Sequence, residues 1–447
     1  MNDARTDEFP DPAPSPTTMD DDKPGWKRNV AIFLTGQTIS LLGSMLVQFA
    51  VMWHLTIVTQ SGSVLMLSIV FGMLPQAFVS IFGGVWADRH SRKLLIIGAD
   101  SAIATITLAL ALLMLSGVDD LWLIYVALAV RSTFAGIQTP AVNAMIPQIV
   151  PTSQLIRVNG INQSIQSGMM LLAPVVAAAI YANFDIVAVF FVDVVTAVLG
   201  IGMLLLVAVP RLVRHADGEG EQDAPPSYFG DLVAGVRYVR GHGPVKWLMT
   251  IFAVTMVLIG APSYLTPLMV TRTFGDEVWK LTTNEVFWAA GMLAGGLAMA
   301  VLGPRVTNRV ALIVGTTFAA GVFTAGLGLA TNMWVFFVLG LLVGTTFTLM
   351  SAPSMAILQE TVEPEMQGRV FGFVGIVMTV AMPLSMVVFG PLADRVSVQV
   401  LLVVAGALLA AFVAVVLAVP SARRSLAAVA RPVDPVEPTE AVDAPAR

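Results

Sequence analysis

The chain has 447 residues, 56% hydrophobic and 12% charged, with a mean hydropathy of +0.82. A soluble domain carries about 25% charged residues, so this composition excludes a soluble globular protein and points to a membrane protein. With no cysteine, four histidines and a net charge of -5, the chain offers no disulfide, no thiolate nucleophile and no metal cluster,. No cofactor and no nucleic-acid partner is expected. An enzyme is not expected either, because no nucleophile–base set stands out.

Residues 1–25 are polar, acidic and proline-rich, which reads as a disordered tail and not as a signal peptide,. Twelve apolar stretches follow, each long enough to cross ~30 Å of hydrocarbon. They cover 30–54, 65–87, 94–116, 121–146, 159–181, 186–209, 246–270, 285–303, 309–330, 334–357, 370–391 and 398–419. One polar interruption, 211–245, carries Asp217, Glu219, Glu221 and Asp223, then Pro225-Pro226. Behind it, Tyr228, Phe229, Leu232, Val233, Val236 and Val239 recur at helical spacing, which predicts an amphipathic helix along the membrane surface. The expected units are a six-helix bundle over 26–210, a linker over 211–245, a second six-helix bundle over 246–420 and a disordered tail over 421–447. The fold class is all-α membrane protein, with two pseudo-symmetric halves.

Orientation follows from lysine and arginine, which concentrate on the cytoplasmic side. With both ends inside, 20 of the 24 basic residues fall in cytoplasmic loops or tails. Arg272, Lys280 and Arg395 fall outside, and Arg131 lies within the fourth stretch. The expected location is therefore the plasma or inner membrane, multi-pass, with both termini cytoplasmic. The chain also repeats itself. Pro140 and Pro151 recur as Pro353 and Pro364, and Arg157 and Gly160 recur as Arg369 and Gly372. Parallel repeats of this kind place a substrate site between the halves, near the midplane.

Buried charges are the best pointers to function in a membrane helix. Arg131 lies about ten residues into the fourth stretch, where a charge costs roughly 2.5–3.5 kcal/mol. It either lines a cavity or is a structural arginine bonded to backbone carbonyls. Asp193 in the sixth stretch and Asp100 in the third are the candidates for carrying a coupling proton, since a carboxyl in low dielectric holds its proton more tightly. Asp100 could instead pair with the basic residues of the nearby hairpin. Glu285 follows Thr282, Thr283 and Asn284 and reads as an acid in the first turn of the eighth helix. Gln37, Ser40, Ser44 and Gln48 form one face of the first helix, either a cavity wall or a helix contact. Asn159, Asn162, Gln163 and Gln166 form a similar face on the fifth, whose small neighbours suggest close packing. Gln138 and Met292 complete the candidate substrate cavity, the methionine as a soft surface for a bulky ligand.

Between the second and third stretches runs Gly84-Val85-Trp86-Ala87-Asp88-Arg89-His90-Ser91-Arg92-Lys93. An apolar run, a tight charged hairpin and a second apolar run make a cytoplasmic turn. Positive-inside anchoring explains its basic residues. It does not explain the spacing from Gly84 to Asp88, which suggests a conformational latch built from Gly84, Asp88, Arg89, Arg92 and Lys93. Asp88 can face the positive end of a helix in the other half.

That hairpin resembles the signature of the major facilitator superfamily. Closer likenesses follow in Gly36-Gln37-Thr38-Ile39-Ser40-Leu41, Ile97-Gly98-Ala99-Asp100, Arg131-Ser132 and Thr139-Pro140-Ala141-Val142-Asn143-Ala144. Gln163-Ser164-Ile165-Gln166-Ser167, Asp193 and Gly368-Arg369-Val370-Phe371 belong to the same set. Together they resemble the macrolide-efflux branch of the superfamily over about residues 27–420. The resemblance implies proton-driven export of macrolide-like drugs from the cytoplasm. The expected protein is a monomer that exports these or other bulky amphipathic drugs by alternating access, with protons and membrane lipid as its other partners. Two readings stay open beside it: an exporter of a siderophore or native metabolite, and a receptor or scaffold that moves nothing.

Overall fold

The structure, a computed structural model, describes residues 25–209 and 228–430. Residues 1–24, 431–447 and the acidic part of the linker lie outside the described residues. The expected C-terminal tail begins too early: residues 421–427 are helical, with Ala422 and Leu426 buried against the bundle. Twelve helices among them are long and apolar enough to cross a membrane, so the chain is an all-helical, multi-pass membrane protein.

The first six are α1 (Trp26–Thr59), α2 (Gly62–Arg89), α3 (Arg92–Leu115), α4 (Leu121–Ile149), α5 (Leu155–Phe184) and α6 (Ile186–Leu206). Then come α7 (Tyr228–Gly241), α8 (Gly243–Thr255), α9 (Ala261–Tyr264) and α10 (Thr266–Thr273). The rest are α11 (Val278–Leu302), α12 (Arg309–Leu329), α13 (Met333–Thr361), α14 (Pro364–Ala393), α15 (Val398–Ala418) and a short α16 (Pro420–Ala427). Most helices extend past their apolar runs, because polar residues at the ends start and stop them. Ser61 caps α2 by accepting from the Val64 N–H, Asn308 caps α12 from Ala311, and Asn332 caps α13 from Trp334 and Val335,.

The seventh span is not one continuous helix. It runs through α8 and a π-helical turn at Met256–Gly260, and is then broken around Leu265 between α9 and α10. Pro262 and Pro267 flank the break, and each removes a backbone donor. This break carries Tyr264 into the middle of the molecule.

Within the first six helices, α2 packs on α4 and α1 on α6; within the last six, α11 packs on α13 and α12 on α15. Glycines make these approaches possible. A Cβ on Gly83 would lie within 2.4–3.4 Å of Gly136 and Pro140, and one on Gly344 would lie 2.5 Å from the Trp288 carbonyl. Helix α7 packs against α14. Of its expected apolar face, Val239 is buried and Val236 half-buried, and the other four side chains lie outside those described.

The start of α1 and the hairpin at 88–93 share one face of the molecule, here the termini face; the turn at 60–61 lies on the far face. The main contacts between the first and last six helices pair α2 with α14, α5 with α11 and α1 with α10. The α2–α14 approach is closest at the far face, where a Cβ on Gly62 would sit 2.7 Å from the Ala393 Cβ and one on Gly390 would sit 2.8 Å from the Gly62 carbonyl. Toward the termini face, Asn159, Gln163 and Gln166 of α5 are exposed. Amide side chains do not face lipid, so this face borders an aqueous cleft. The molecule is closed on the far face and open on the termini face.

Candidate functional site: a charged layer beside a midplane cavity

At the closed end of the cleft lies a cavity of about 260 Å³. That is slightly under the usual range for a drug-sized ligand, so a bulky substrate would extend down the cleft. Its apolar wall includes Val47, Met52, Leu65 and Met73, and its polar points are Ser44, Gln48, Ser68, Gln76, Arg131 and Ser132. These residues belong to α1, α2 and α4. Tyr264, at the break in the seventh span, closes the cavity from the other half.

Arg131 is not a structural arginine bonded to carbonyls. Its Nη1 donates to Asp193 Oδ2 at 2.5 Å and to the Thr107 hydroxyl. The pair is deeply buried, with the Asp193 side chain 2% exposed and the Arg131 side chain 12%. A buried pair of this kind balances a large desolvation cost against its own attraction, and removing one partner costs about 3–5 kcal/mol. Local packing makes the approach possible. A Cβ on Gly43 of α1 would sit 3.0 Å from Asp193 Oδ1 and would also collide with the Thr196 hydroxyl. Glycine at 43 therefore lets α6 bring Asp193 inward.

Asp100 lies on α3, buried, and accepts 2.7 Å from Gln138 Nε2. It does not pair with the hairpin, contrary to one of the two sequence readings. Its second oxygen, Oδ2, is buried with no hydrogen-bond partner among the described residues. A bare carboxylate oxygen in such a place is costly, and a proton on it removes much of that cost.

The remaining candidates divide. Ser44, Gln48 and Arg131 line the cavity. Gln37, Ser40, Gln138, Asn162, Gln163, Gln166 and Met292 do not. Ser40 is buried against Gly200 of α6, where a Cβ on the glycine would meet the serine Cβ at 3.2 Å. Gln138 is committed to Asp100. Gln163 and Gln166 are exposed in the cleft and Asn162 half-buried, so that face of α5 is not the packing seam its small neighbours suggested. Met292 sits on α11 where that helix packs against Gly344 of α13.

Sequence reasoning missed several residues. Thr107 and Ser132 read as ordinary helix residues. Yet Thr107 accepts from Arg131, and Ser132 accepts at 3.0 Å from the Gln76 N–H next to Pro75, where a proline disturbs the α2 ladder,. Glu285 is misplaced by the sequence reading. Helix α11 begins at Val278, so Glu285 lies beyond the first turn, inside the bundle, accepting 3.2 Å from Asn284. Among the described residues it has no ion-pair partner.

The hairpin holds its own half together. Arg92 donates to the Ala87 and Ala144 carbonyls at 3.2 and 2.7 Å, and Lys93 to the Leu205 and Val207 carbonyls at 2.9 and 2.8 Å. Cations at the C-terminal ends of helices are favourably placed. Asp88 is 76% exposed and, among the described residues, reaches only Arg92, at 3.8 Å. A Cβ on Gly84 would meet nothing within 4 Å.

Twelve spans in two similarly packed sets, closed at one face around a charged midplane layer, define a secondary transporter. Comparison with known proteins identifies the family. The model of the Major Facilitator Superfamily matches residues 29–386 and 279–438. The chain belongs to that superfamily and is a transporter, not an enzyme. It is 30% identical over 386 residues to macrolide efflux protein A of Streptococcus pyogenes, covering 86% of this chain and 94% of that protein. It is 24% identical over 338 residues to the multidrug efflux pump Tap of Mycobacterium bovis, covering 72% and 77%. Its fold superposes on an inward-facing bacterial homologue of the human lysosomal transporter Spinster with a TM-score of 0.62, at 14% identity, covering 91% of this chain and 98% of that one.

Proposed function

We propose that this transporter exports bulky amphipathic drugs of the macrolide type from the cytoplasm in exchange for protons. The termini face is the cytoplasmic face, as the distribution of lysine and arginine indicates. The observed conformation is then the one that loads substrate. The observation that carries the reading is the buried Arg131–Asp193 ion pair, whose arginine lines a largely apolar cavity. The apolar wall takes the body of the substrate, and the charged layer takes the proton. When the cavity opens outward, a proton arriving on Asp193 breaks the pair and frees Arg131. Inside, its loss restores the pair. Asp100, whose second oxygen has no hydrogen-bond partner among the described residues, is the second candidate to carry the proton. The names of the relatives support the substrate class.

Everted vesicles containing the protein test this directly. They should accumulate erythromycin when energised and lose it on addition of a protonophore. Uptake that survives collapse of the proton gradient but requires ATP would overturn the proposal.

A further inference from the structure

The hairpin signature occurs twice. Gly84-Val85-Trp86-Ala87-Asp88-Arg89-His90-Ser91 ends α2, and Gly390-Pro391-Leu392-Ala393-Asp394-Arg395-Val396-Ser397 ends α14. Glycine, alanine, aspartate, arginine and serine recur at identical spacing. The first copy lies on the termini face and the second on the far face. The two helices that carry them are packed partners, with the start of α2 beside the end of α14. They run antiparallel.

The second copy is engaged. Asp394 Oδ1 accepts from the Gly62 N–H at 2.6 Å, and Oδ2 accepts from the Ser63 N–H at 2.9 Å and the Ser61 hydroxyl at 3.1 Å. These are free donors of the first turn of α2, where the helix dipole is positive. A carboxylate at the end of one half therefore caps a helix of the other. Arg272, at the end of α10, reinforces the cap. It donates to the Ala393 carbonyl at 2.7 Å and to the Gln60 carbonyl, and lies 3.7 Å from Asp394. Gln60 belongs to the first half and Ala393 to the second, so Arg272 ties the C-terminal ends of α1 and α14 together. Gly62 and Gly390 remove the side chains that would hold the two backbones apart.

We propose that Asp394 and Arg272 form a second latch, which holds the far face shut: Asp394 caps α2 across the two halves, Arg272 clips the joint, and both must let go before the cavity opens on that side. The site suits a reversible latch. Asp394 and Arg272 are each partly exposed, at 28% and 29% of their side chains, so water can replace the protein partners as the halves part,. The first copy, with Asp88 exposed and without a bond to the other half among the described residues, is the complementary device for the opposite conformation.

The chain has no cysteine, which permits clean spin labelling. Labels at Asn183→Cys and Asp276→Cys flank the seam between the halves at the far face. Their distance distribution should be measured on the full-length protein without substrate or gradient, so the outcome does not depend on the transported compound or the coupling ion. Wild-type protein should give mainly the short distance. Asp394→Asn should raise the open-to-closed ratio roughly fivefold, the worth of a helix cap. Arg272→Gln should shift it in the same direction, while Asp394→Glu should retain most of the closed population. Arg395→Gln serves as the neighbouring control and should change nothing. If Asp394→Asn is too unstable to measure, Arg272→Gln decides. Folded, monodisperse variants of Asp394 or Arg272 with the wild-type distribution would overturn the proposal.

Discussion

In the first six membrane helices the most extensive contact joins α2 to α4, where Gly83 and Gly136 let the backbones meet; in the last six it joins α11 to α13, through Gly291, Gly295 and Gly344. The packing is the same and the interiors are not. The first set holds two polar groups, Arg131 with Asp193 and Thr107, and Asp100 with Gln138 about two turns away along α3,. In the second set, Thr316, Thr317 and Thr346 return their hydroxyls to their own helix turns, and Thr345 and Thr348 donate to carbonyls of α11. Glu285 stands apart from these. Small residues fix how helices meet, and they do so without reference to what else the helices carry. One half can thus hold the buried ion pair while its counterpart supplies an opposing wall through Tyr264.

The largest effect should come from breaking the charged layer. Arg131→Ala leaves Asp193 buried and unpaired, which should cost about 3–5 kcal/mol of stability and reduce uphill export to background. Asp193→Asn should also abolish uphill export while still permitting downhill exchange of substrate in proteoliposomes. Transport assays paired with thermal melts separate the two effects. Full transport by both variants would place the coupling chemistry elsewhere, with Asp100 the first alternative.

Much of this was legible beforehand. Twelve spans follow from composition, because hydrocarbon demands about twenty apolar residues per crossing. Arg131 and Asp193 stand out because a charge in a helix core is expensive. Their pairing was not legible, since nothing in α4 or α6 alone says that the two side chains meet. The role of Gly43 is hidden for the same reason: it acts by what it lacks, against a helix about 150 residues away. Glu285 was misread because Trp279 and Lys280 look like a loop outside the membrane, yet the structure makes them the first turn of α11. Tyr264 reaches the cavity only because the seventh span breaks beside two prolines. Arg92 and Lys93 read as positive-inside anchors of the hairpin. They bind carbonyl oxygens, and such acceptors leave no trace in a sequence pattern.

A smaller effect sharpens the contrast between the halves. Gly43→Ala forces a methyl against Asp193 and Thr196, and Gly321→Ala forces one to 2.8 Å from the Gly406 carbonyl in the second half. Both should cost about 1–3 kcal/mol, as overpacking does. Only Gly43→Ala should also lower transport per folded molecule, because it alone displaces a member of the charged layer. Equal specific activity in the two variants, measured after normalising for folded protein, would remove the functional distinction between the halves.

The smallest effect concerns pH at the far face. Burial pulls the Asp394 carboxyl upward, but hydrogen bonds from Ser63, Gly62 and Ser61 outweigh it and hold the group below its ordinary value. A depressed carboxyl contributes its stabilisation at any pH above the ordinary carboxylate value of about 4. The contribution is lost as the pH falls through the depressed value. The cap should therefore remain intact from pH 8 to pH 5, and the far-face distance between labels at Asn183→Cys and Asp276→Cys should not change over that range. Only below about pH 4 should the longer distance grow. Asp394→Asn has no charge to lose there, so its distribution should lack that acid-induced component. Opening of wild-type protein between pH 7 and pH 5.5, absent from Asp394→Asn, would mean that this carboxylate titrates near neutrality. The far face would then answer directly to the protons outside it, and gating and coupling would share a residue instead of being divided between the membrane surface and the buried layer of the first half.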